Sequence, residues 1–361
     1  MNEWLLAEGT YWRSLPIASF MLSAGMTWLG IRYAHRRNLI DHPGQRRSHS
    51  EPTPRGGGIG IVVAALAMLG AEMALLPREA LADLLLCACA VALVAAVGWI
   101  DDHGGLAVRW RLLAHFAAAG LVLFALSFQP ASIVPAIHGA LELAVLGAVW
   151  FGLVWSVNLH NFMDGTNGIL AFQAMFVFAV LGALCAHAGA EADAWHLGAL
   201  AAAVAGFVPF NFPRARVFMG DVGSGALGLL IGIAVLRLLA VSEIDPASGL
   251  IAASAFVIDA SCNLASRMVR GRRWYSAHRE HLYQWLVRAG LSHAAVVATY
   301  MGWNLLIVAP VLWWLNRSAA PAGTGVVWAV LLYGTGVALW IFGKRWCQQK
   351  VKSRRRHHAT A

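Results

Sequence analysis

Charged residues are scarce in this chain, and their scarcity excludes a soluble globular domain. Asp, Glu, Lys and Arg make up 12% of the 361 residues, whereas 59% are hydrophobic and the mean hydropathy is +0.62. Soluble globular domains carry about 25% charged residues, which cover a surface that faces water. The sequence also shows no heptads, no solenoid repeat and no separate soluble domain. We therefore expect a chain that is covered mainly by lipid.

Cysteines and acidic residues are also few. The chain has five cysteines, and Cys87 and Cys89 fall on different sides of one predicted helix. We therefore expect neither a disulfide nor a cysteine metal site. Asp and Glu number 18 against 27 Lys and Arg, which gives a net charge of +9. The distribution of that charge along the chain is informative about membrane orientation.

Long apolar stretches, in contrast, follow one another along the whole sequence. Stretches of roughly 17 to 25 residues can cross a hydrocarbon core of about 30 Å, and the lack of water there requires helices. We predict an all-α polytopic membrane helix bundle with about 11 transmembrane helices, forming one integral-membrane domain over residues 1–343. The predicted spans lie near residues 16–34, 58–76, 84–100, 112–128, 141–159, 169–188, 195–212, 223–241, 250–268, 294–315 and 326–343.

Basic residues lie almost entirely on one side of these predicted spans. The loops and tail on that side hold 22 of the 27 Lys and Arg, while the loops on the other side hold three. The positive-inside rule then places the basic side and the C-terminus inside and the N-terminus outside. Residues 344–361 form a basic cytoplasmic tail, for which anionic lipid headgroups are a better partner than nucleic acid. We expect a bacterial inner (cytoplasmic) membrane protein with its active site at the cytoplasmic face.

Acids, amides, histidines and glycines concentrate in the loops of the basic side. Four aspartates at the ends of spans would resist ionisation together unless a cation balanced their charges. Carboxylate oxygens suit Mg²⁺, for which Mn²⁺ can substitute, and Arg and His side chains suit phosphate oxygens. Such a set is what phosphoryl transfer requires. The acids are Asp101, Asp102, Asp164 and Asp221, and the basic residues are Arg47, Arg55, Arg109, Arg111, His278 and His281.

Two of the loop motifs allow more than one interpretation. The glycines of Gly56–Gly58 either cradle a phosphate or form a flexible entry to a span. His278 and His281 share one face of a helix, which fits contact with phosphate or uridine but also a zinc site.

Ionisable residues inside the predicted spans are costly and need partners. Asp259 either pairs with Arg267 as structural support or borders the site, and we expect packing to satisfy Glu72 and His115. A secondary transporter would also have many spans, but it predicts ionisable residues near the midplane, whereas these acids cluster at one face. A lipid-phosphate phosphatase would need a histidine nucleophile signature, which the sequence lacks.

From about Asp41 to Gly290 the chain resembles the polyprenyl-phosphate N-acetylhexosamine-1-phosphate transferases, that is, glycosyltransferase family 4. The specific motifs are Asn-Phe-Met-Asp-Gly and Phe-Met-Gly-Asp-Val-Gly-Ser at the ends of different spans. The loop Pro-Thr-Pro-Arg-Gly-Gly-Gly and the run His-x-x-His-Leu-Tyr-Gln are most similar to the O-antigen-initiating branch, rather than to the related phospho-MurNAc-pentapeptide translocases. The matching segments are Asp41–Gly58, Gly98–Asp102, Asn158–Gly168, Val217–Ser224 and His278–Gln284.

The resemblance implies a Mg²⁺-dependent phosphoglycosyltransferase. Such an enzyme moves a HexNAc 1-phosphate from a UDP-sugar to undecaprenyl phosphate and releases UMP, as the initiating step of O-antigen or related cell-envelope glycan synthesis. The resemblance leaves open which HexNAc is used and whether the chain forms a homodimer. It also leaves open direct attack by the lipid phosphate or a covalent aspartyl intermediate, of which we favour direct attack.

The resemblance further implies a role for each matching polar residue. Asp221 is the expected metal ligand with Asp102 assisting, and Asp101 is the expected base for the lipid phosphate. The expected substrate-binding residues are Asn158, Asn161 and Asp164 around the nucleotide, Arg109 and Arg111 near the phosphates, and Arg55 and His49. His278 and His281 are expected to act in catalysis and sugar-nucleotide binding.

Overall fold

The structure, a computed structural model, describes residues 2–42, 51–74, 78–129, 138–272, 279–317, 321 and 323–360. Most of these residues are helical, which confirms the predicted all-α class. The helices are α1 (Asn2–Arg37), α2 (Ile59–Met73), α3 (Arg78–Gly104), α4 (Val108–Ala125), α5 (Ala140–Met163), α6 (Ile169–His187), α7 (Glu191–Asn211), α8 (Asp221–Leu238), α9 (Ser248–Ala252), α10 (Ser254–Val269), α11 (Leu282–Arg288), α12 (His293–Trp303), α13 (Ala309–Arg317) and α14 (Thr324–Thr360).

Nine helices in the described part of the chain are long and apolar enough to cross a membrane. One of them is α12 and α13 joined by a π-helical turn at Asn304–Val308. The other two predicted spans are helical but shorter, because α2 has 15 residues and a turn at Ala253 separates α9 from α10. At 1.5 Å per residue α2 is only about 22 Å long. The chain is a multi-pass membrane protein, and in its described residues each predicted span contains one or two helices.

Helix α8 lies at the centre of the bundle. In the most apolar stretch of α8, 72% of the residues are buried, whereas only 22% are buried in the corresponding stretch of α14. Its glycines let α5 approach, because a Cβ at Gly228 would lie 2.6 Å from the carbonyl oxygen of Ser156, whose hydroxyl donates to the Gly228 carbonyl at 2.7 Å. Gly98 of α3 allows a similarly close approach at the first residue of α8, because a Cβ at Gly98 would overlap the Asp221 carbonyl. The start of α8 therefore has a fixed position against α3.

A short antiparallel hairpin leads the chain from α1 into α2. Strand β1 (Ile40–Asp41) pairs with β2 (Thr53–Pro54). The backbone N–H of Arg55 donates to the Leu39 carbonyl at 3.1 Å, which extends the pairing by one residue. The hydropathy of the sequence did not indicate these strands, because each has only two residues.

Asp259 of α10 joins four helices through its buried carboxylate, which is 2% exposed. Oδ1 accepts from the backbone N–H of Leu282 and from Trp340 Nε1, both at 2.8 Å. Oδ2 accepts from the Tyr300 hydroxyl at 2.6 Å. Arg267 instead forms an ion pair with Glu280 at 3.2 Å, in a separate contact. Of the two interpretations offered by the sequence, the pairing of Asp259 with Arg267 is therefore not observed; the carboxylate accepts from donors of α11, α12 and α14.

Two further buried ionisable groups, Glu72 and His115, also have partners. Glu72 accepts at 2.6 Å from His196, and His115 lies 3.2 Å from the amide nitrogen of Asn158. Packing therefore satisfies Glu72 and His115, as predicted. Near Glu72, Arg237 pairs with Asp193 at 2.9 Å. Because Arg237 lies at the C-terminal end of α8, these ion pairs mark the end of the bundle opposite Asp221.

Helix α14 continues without a break through the predicted boundary between the membrane domain and the basic tail. Its 37 residues span about 55 Å, which exceeds a hydrocarbon core of about 30 Å. Lys344 at the boundary is buried and donates to Asn263 Oδ1 at 3.3 Å. The tail is therefore a continuation of the last membrane helix, and its first basic residue packs against α10.

Candidate active site

The described parts of the loops on the basic side meet at one end of the bundle, as the sequence predicted. The backbone N–H groups of Gly57 and Gly58 donate to the carbonyls of Phe218 and Met219 at 2.9 and 2.8 Å. A Cβ at Gly58 would lie 2.5 Å from the Cα of Gly223. The N–H groups that a phosphate would need are thus bonded to carbonyls. At these two glycines the loop is neither a phosphate cradle nor a flexible entry, but a close contact between backbones.

Asp101 and Asp221 form the centre of the site together with Arg111. One guanidinium nitrogen of Arg111 lies 2.5 Å from Asp101 Oδ2, and the other lies 3.3 Å from Asp221 Oδ2. The two carboxylates also lie within hydrogen-bonding distance of each other. The backbone N–H of Leu106 donates to Asp101 at 2.5 Å. The structure thus joins residues from α3, α4 and α8 that the sequence only predicted to be neighbours.

Asp102 lies beside this pair but faces another way. It is 8% exposed, and its two oxygens accept from the backbone N–H groups of Asp221 and Val222, each at 3.1 Å. Neither bond involves a side-chain donor. The neighbouring acids Asp101 and Asp102 therefore have different environments, which their adjacency in the sequence did not indicate.

Asp164 ends α5 on the same side of the bundle and completes the group of acids. Burial, and after it the charges of Asp221 and Asp102, raise the pKa of Asp164 to about 7. Like charges close together disfavour ionisation, as the sequence argument expected. The cluster contains four carboxylates, and Arg111 is the cation that contacts two of them. This excess of negative charge favours the binding of a further cation.

The two predicted asparagines of α5 have different partners. Asn161 donates to the Ser224 hydroxyl of α8 at 3.0 Å and also reaches Asp221. Asn158, one turn earlier, contacts His115 of α4 and donates to its own helix at the Val154 carbonyl. Asn161 therefore belongs to the acidic cluster, whereas Asn158 holds α5 against α4.

The predicted basic residues also differ in whether they contact the acidic cluster. Arg111 contacts the cluster, whereas Arg109 is exposed and its guanidinium lies 5.6 Å from the ring centre of Trp110. Arg55 pairs with Asp41 at 3.3 Å, and its charge also acts on Asp101. His49 and His278 lie outside the described residues.

His281 lies deeper in the protein than a nucleotide-binding histidine on a loop surface. It is 3% exposed, and its Nδ1 lies 3.9 Å from Asp259 Oδ1. Tyr283, two residues later, is 1% exposed and its hydroxyl donates to the Phe162 carbonyl at 3.0 Å. Tyr283 thus ties α11 to the end of α5, just before Asp164. Sequence reasoning missed this role, although a tyrosine within a polar loop motif was the available signal.

Asn211 is a second residue that sequence reasoning missed. It ends α7 and is 5% exposed. Its Oδ1 accepts from the Gly168 N–H at 2.7 Å, and its Nδ2 donates to the Val217 carbonyl at 2.9 Å. One amide thus fixes both motif loops, the one after α5 and the one before α8. A polar residue at the end of an apolar span was the only signal for it.

The donor set fits a hard divalent cation. Within the described ranges no group of three or more His, Cys, Asp and Glu side chains has the arrangement of a metal site made by protein alone. Mg²⁺ does not require one, because it usually binds one or two carboxylates and completes its shell with water and substrate phosphates. Asp221 and Asp101 supply carboxylates at one point, which meets that need.

Comparisons with known proteins show which proteins this chain is similar to. The profile of glycosyl transferase family 4 matches residues 84–239. The chain is 29% identical over 321 residues to the decaprenyl-phosphate N-acetylglucosaminephosphotransferase of Mycolicibacterium smegmatis, covering 80% of this chain and 77% of that protein. It is 27% identical over 291 residues to the undecaprenyl-phosphate alpha-N-acetylglucosaminyl 1-phosphate transferase of Escherichia coli, covering 76% of each. The profile match and both relatives support glycosyl transferase family 4 as the family of this chain.

The family 4 match covers most of α3 and all of α4 to α8, and so includes all four acids of the cluster. Asp101, Arg111, Asn161 and Asp221 all lie within it. The hairpin, α11 and α14 lie outside it, although they contact the same end of the bundle. The part of the chain that carries the family profile is therefore also the part that gathers the carboxylates.

Proposed function

We propose that this chain transfers a HexNAc 1-phosphate from a UDP-sugar to a polyprenyl phosphate and releases UMP. The observation that carries the proposal is the cluster of Asp101, Asp221 and Arg111 at the meeting point of the loops, in a chain that matches the profile of glycosyl transferase family 4. Both relatives are named for N-acetylglucosamine and a polyprenyl phosphate. UDP-N-acetylglucosamine is therefore the first donor to test.

The cofactor in this proposal is Mg²⁺, with Mn²⁺ as a substitute. Asp221 would hold it, because this carboxylate is part of the acidic cluster yet its side chain remains 32% exposed. When bound, the ion balances negative charge on the donor pyrophosphate. The sequence also predicted Asp102 as an assisting ligand, but both of its oxygens already accept backbone hydrogen bonds.

The side chains around the cluster have separable tasks in this reaction. Arg111 binds a phosphate oxygen, since its guanidinium already bridges two anionic groups. Asp101 accepts the proton of the incoming lipid phosphate when that phosphate is protonated. The lipid oxygen then attacks the sugar-side phosphorus directly and UMP leaves. Asn161 and Asp164 shape the pocket between α5 and α8, where the nucleotide binds.

The proposed location is the cytoplasmic face of a bacterial inner membrane. The basic loops support this orientation, and a nucleotide donor would reach the acids from the cytoplasm. The basic turns of α14 beyond the membrane would contact anionic lipid headgroups. The proposed pathway is initiation of a lipid-linked O-antigen or related cell-envelope glycan.

Purified protein in detergent with undecaprenyl phosphate and a panel of UDP-sugars tests the proposal. We expect UMP release that requires both substrates, and a lipid pyrophosphate product with the mass of an added HexNAc phosphate. Asp221→Asn is the inactive variant, and Asp193→Asn, at the opposite end of the bundle, is the matched control that should stay active. UMP release without the lipid would indicate a hydrolase, and no release with any donor would reject the proposal.

A further inference from the structure

Helix α8 begins without a capping side chain of its own. The residue before it is Gly220, which has a positive φ of 76° and offers no side-chain acceptor. The first N–H groups of a helix have no partner within it. Here Asp102, at the end of α3, supplies both acceptors from across the bundle: Oδ1 bonds to Asp221 N–H and Oδ2 to Val222 N–H, each at 3.1 Å.

The surroundings of Asp102 show that this contact is part of the fold. Asp102 is buried, whereas the side chain of Asp221 is 32% exposed. A Cβ at Gly220 would lie 2.5 Å from Asp102 Oδ2, so only glycine leaves room for the carboxylate there. A negative charge at the N-terminal end of a helix is also stabilising. Both the space and the charge around Asp102 therefore suit a helix cap.

We propose that Asp102 is a positioning residue: its carboxylate caps α8 and thereby fixes Asp221, and it contacts neither the metal ion nor the substrate. The two neighbouring acids then have separate roles, because Asp101 contacts the side chains of Arg111 and Asp221, whereas Asp102 contacts the backbone of α8. The consequence for metal binding rests on the proposed function. The cap itself does not, because it is a contact within the folded chain.

Hydrogen–deuterium exchange on the purified full-length protein, without substrate or metal, tests the cap. We expect Asp102→Ala to speed exchange in residues 221–225 by about ten-fold, because cap loss of this kind eases opening of the first turn. Asp102→Asn should have a smaller effect, since its amide oxygen still accepts one bond. Asp101→Asn is the matched control and should leave exchange in α8 unchanged. Unchanged exchange in Asp102→Ala would overturn the proposal.

Direct titration with Mn²⁺, followed by electron paramagnetic resonance, separates positioning from ligation. A residue that orients a ligand typically changes metal affinity by about 10- to 100-fold when replaced. We expect a weakening of that size in Asp102→Asn and complete loss in Asp221→Asn. Complete loss in Asp102→Asn with unchanged exchange in α8 would make Asp102 a ligand and refute its positioning role. If wild type binds no Mn²⁺, the proposed metal fails while the exchange result still decides the cap.

Discussion

Replacing Asp259 with alanine should destabilise the bundle by about 3 to 5 kcal/mol. The carboxylate accepts three short hydrogen bonds, from Leu282, Tyr300 and Trp340, at 2.6 to 2.8 Å. Each buried donor left without a partner costs about 1 to 3 kcal/mol. Three such donors give about 3 to 9 kcal/mol. That sum is an upper limit, because removing a buried charge also removes its desolvation cost, so we expect the lower half of the range. Asp259→Asn keeps one acceptor oxygen and should cost about 1 to 2 kcal/mol.

Unfolding in detergent, followed by tryptophan fluorescence, measures these changes in stability. Asp193→Asn is the control, because its partly exposed ion pair with Arg237 should contribute about 1 kcal/mol or less. A cost below about 1 kcal/mol for Asp259→Ala would refute the network. A double-mutant cycle tests whether Asp259 interacts with Arg267. The changes in unfolding free energy of Asp259→Asn and Arg267→Met should add to within about 0.5 kcal/mol in the double variant. Strong coupling between them would instead support a direct pairing of Asp259 with Arg267.

Three further predictions concern the site and the topology. Asp221→Asn should abolish UMP release without changing the unfolding midpoint, and full turnover of wild type in excess EDTA would contradict the metal. The pKa of Asp164, raised from 3.8 to about 7, means that the folded state binds this proton more tightly. The stability of the folded protein should therefore fall as pH rises from about 4 to 7. The unfolding midpoint of Asp164→Asn should fall less over the same pH range than that of wild type. Identical dependence on pH in the two proteins would contradict the raised pKa. In a background without native cysteines, an impermeant thiol reagent should label Arg317→Cys but not Lys350→Cys from outside, and the reverse would invert the orientation.

Local features of the sequence were sufficient to predict the helices and the side on which the site lies. The lengths of the apolar stretches correspond to the helices, because hydrocarbon thickness and the need to bond every backbone group leave little choice. Two predicted spans differ from this correspondence, because α2 is short and the segment α9–α10 is interrupted at Ala253. The motifs likewise indicated which acids would gather, since each motif lies at the end of a span on the basic side.

The sequence alone determined the class of the protein, its spans and the candidate members of its acidic cluster, because hydropathy, charge and motif order are properties of neighbouring residues. Only the tertiary structure decided the partner of each side chain. Asp102 meets the start of α8 across 119 positions of sequence, and Asp259 meets Trp340 across 81. Arg109 and Arg111 look equivalent in the sequence, yet only Arg111 contacts the acids. Such pairings depend on how distant helices approach and rotate, which side-chain packing sets and no local pattern records.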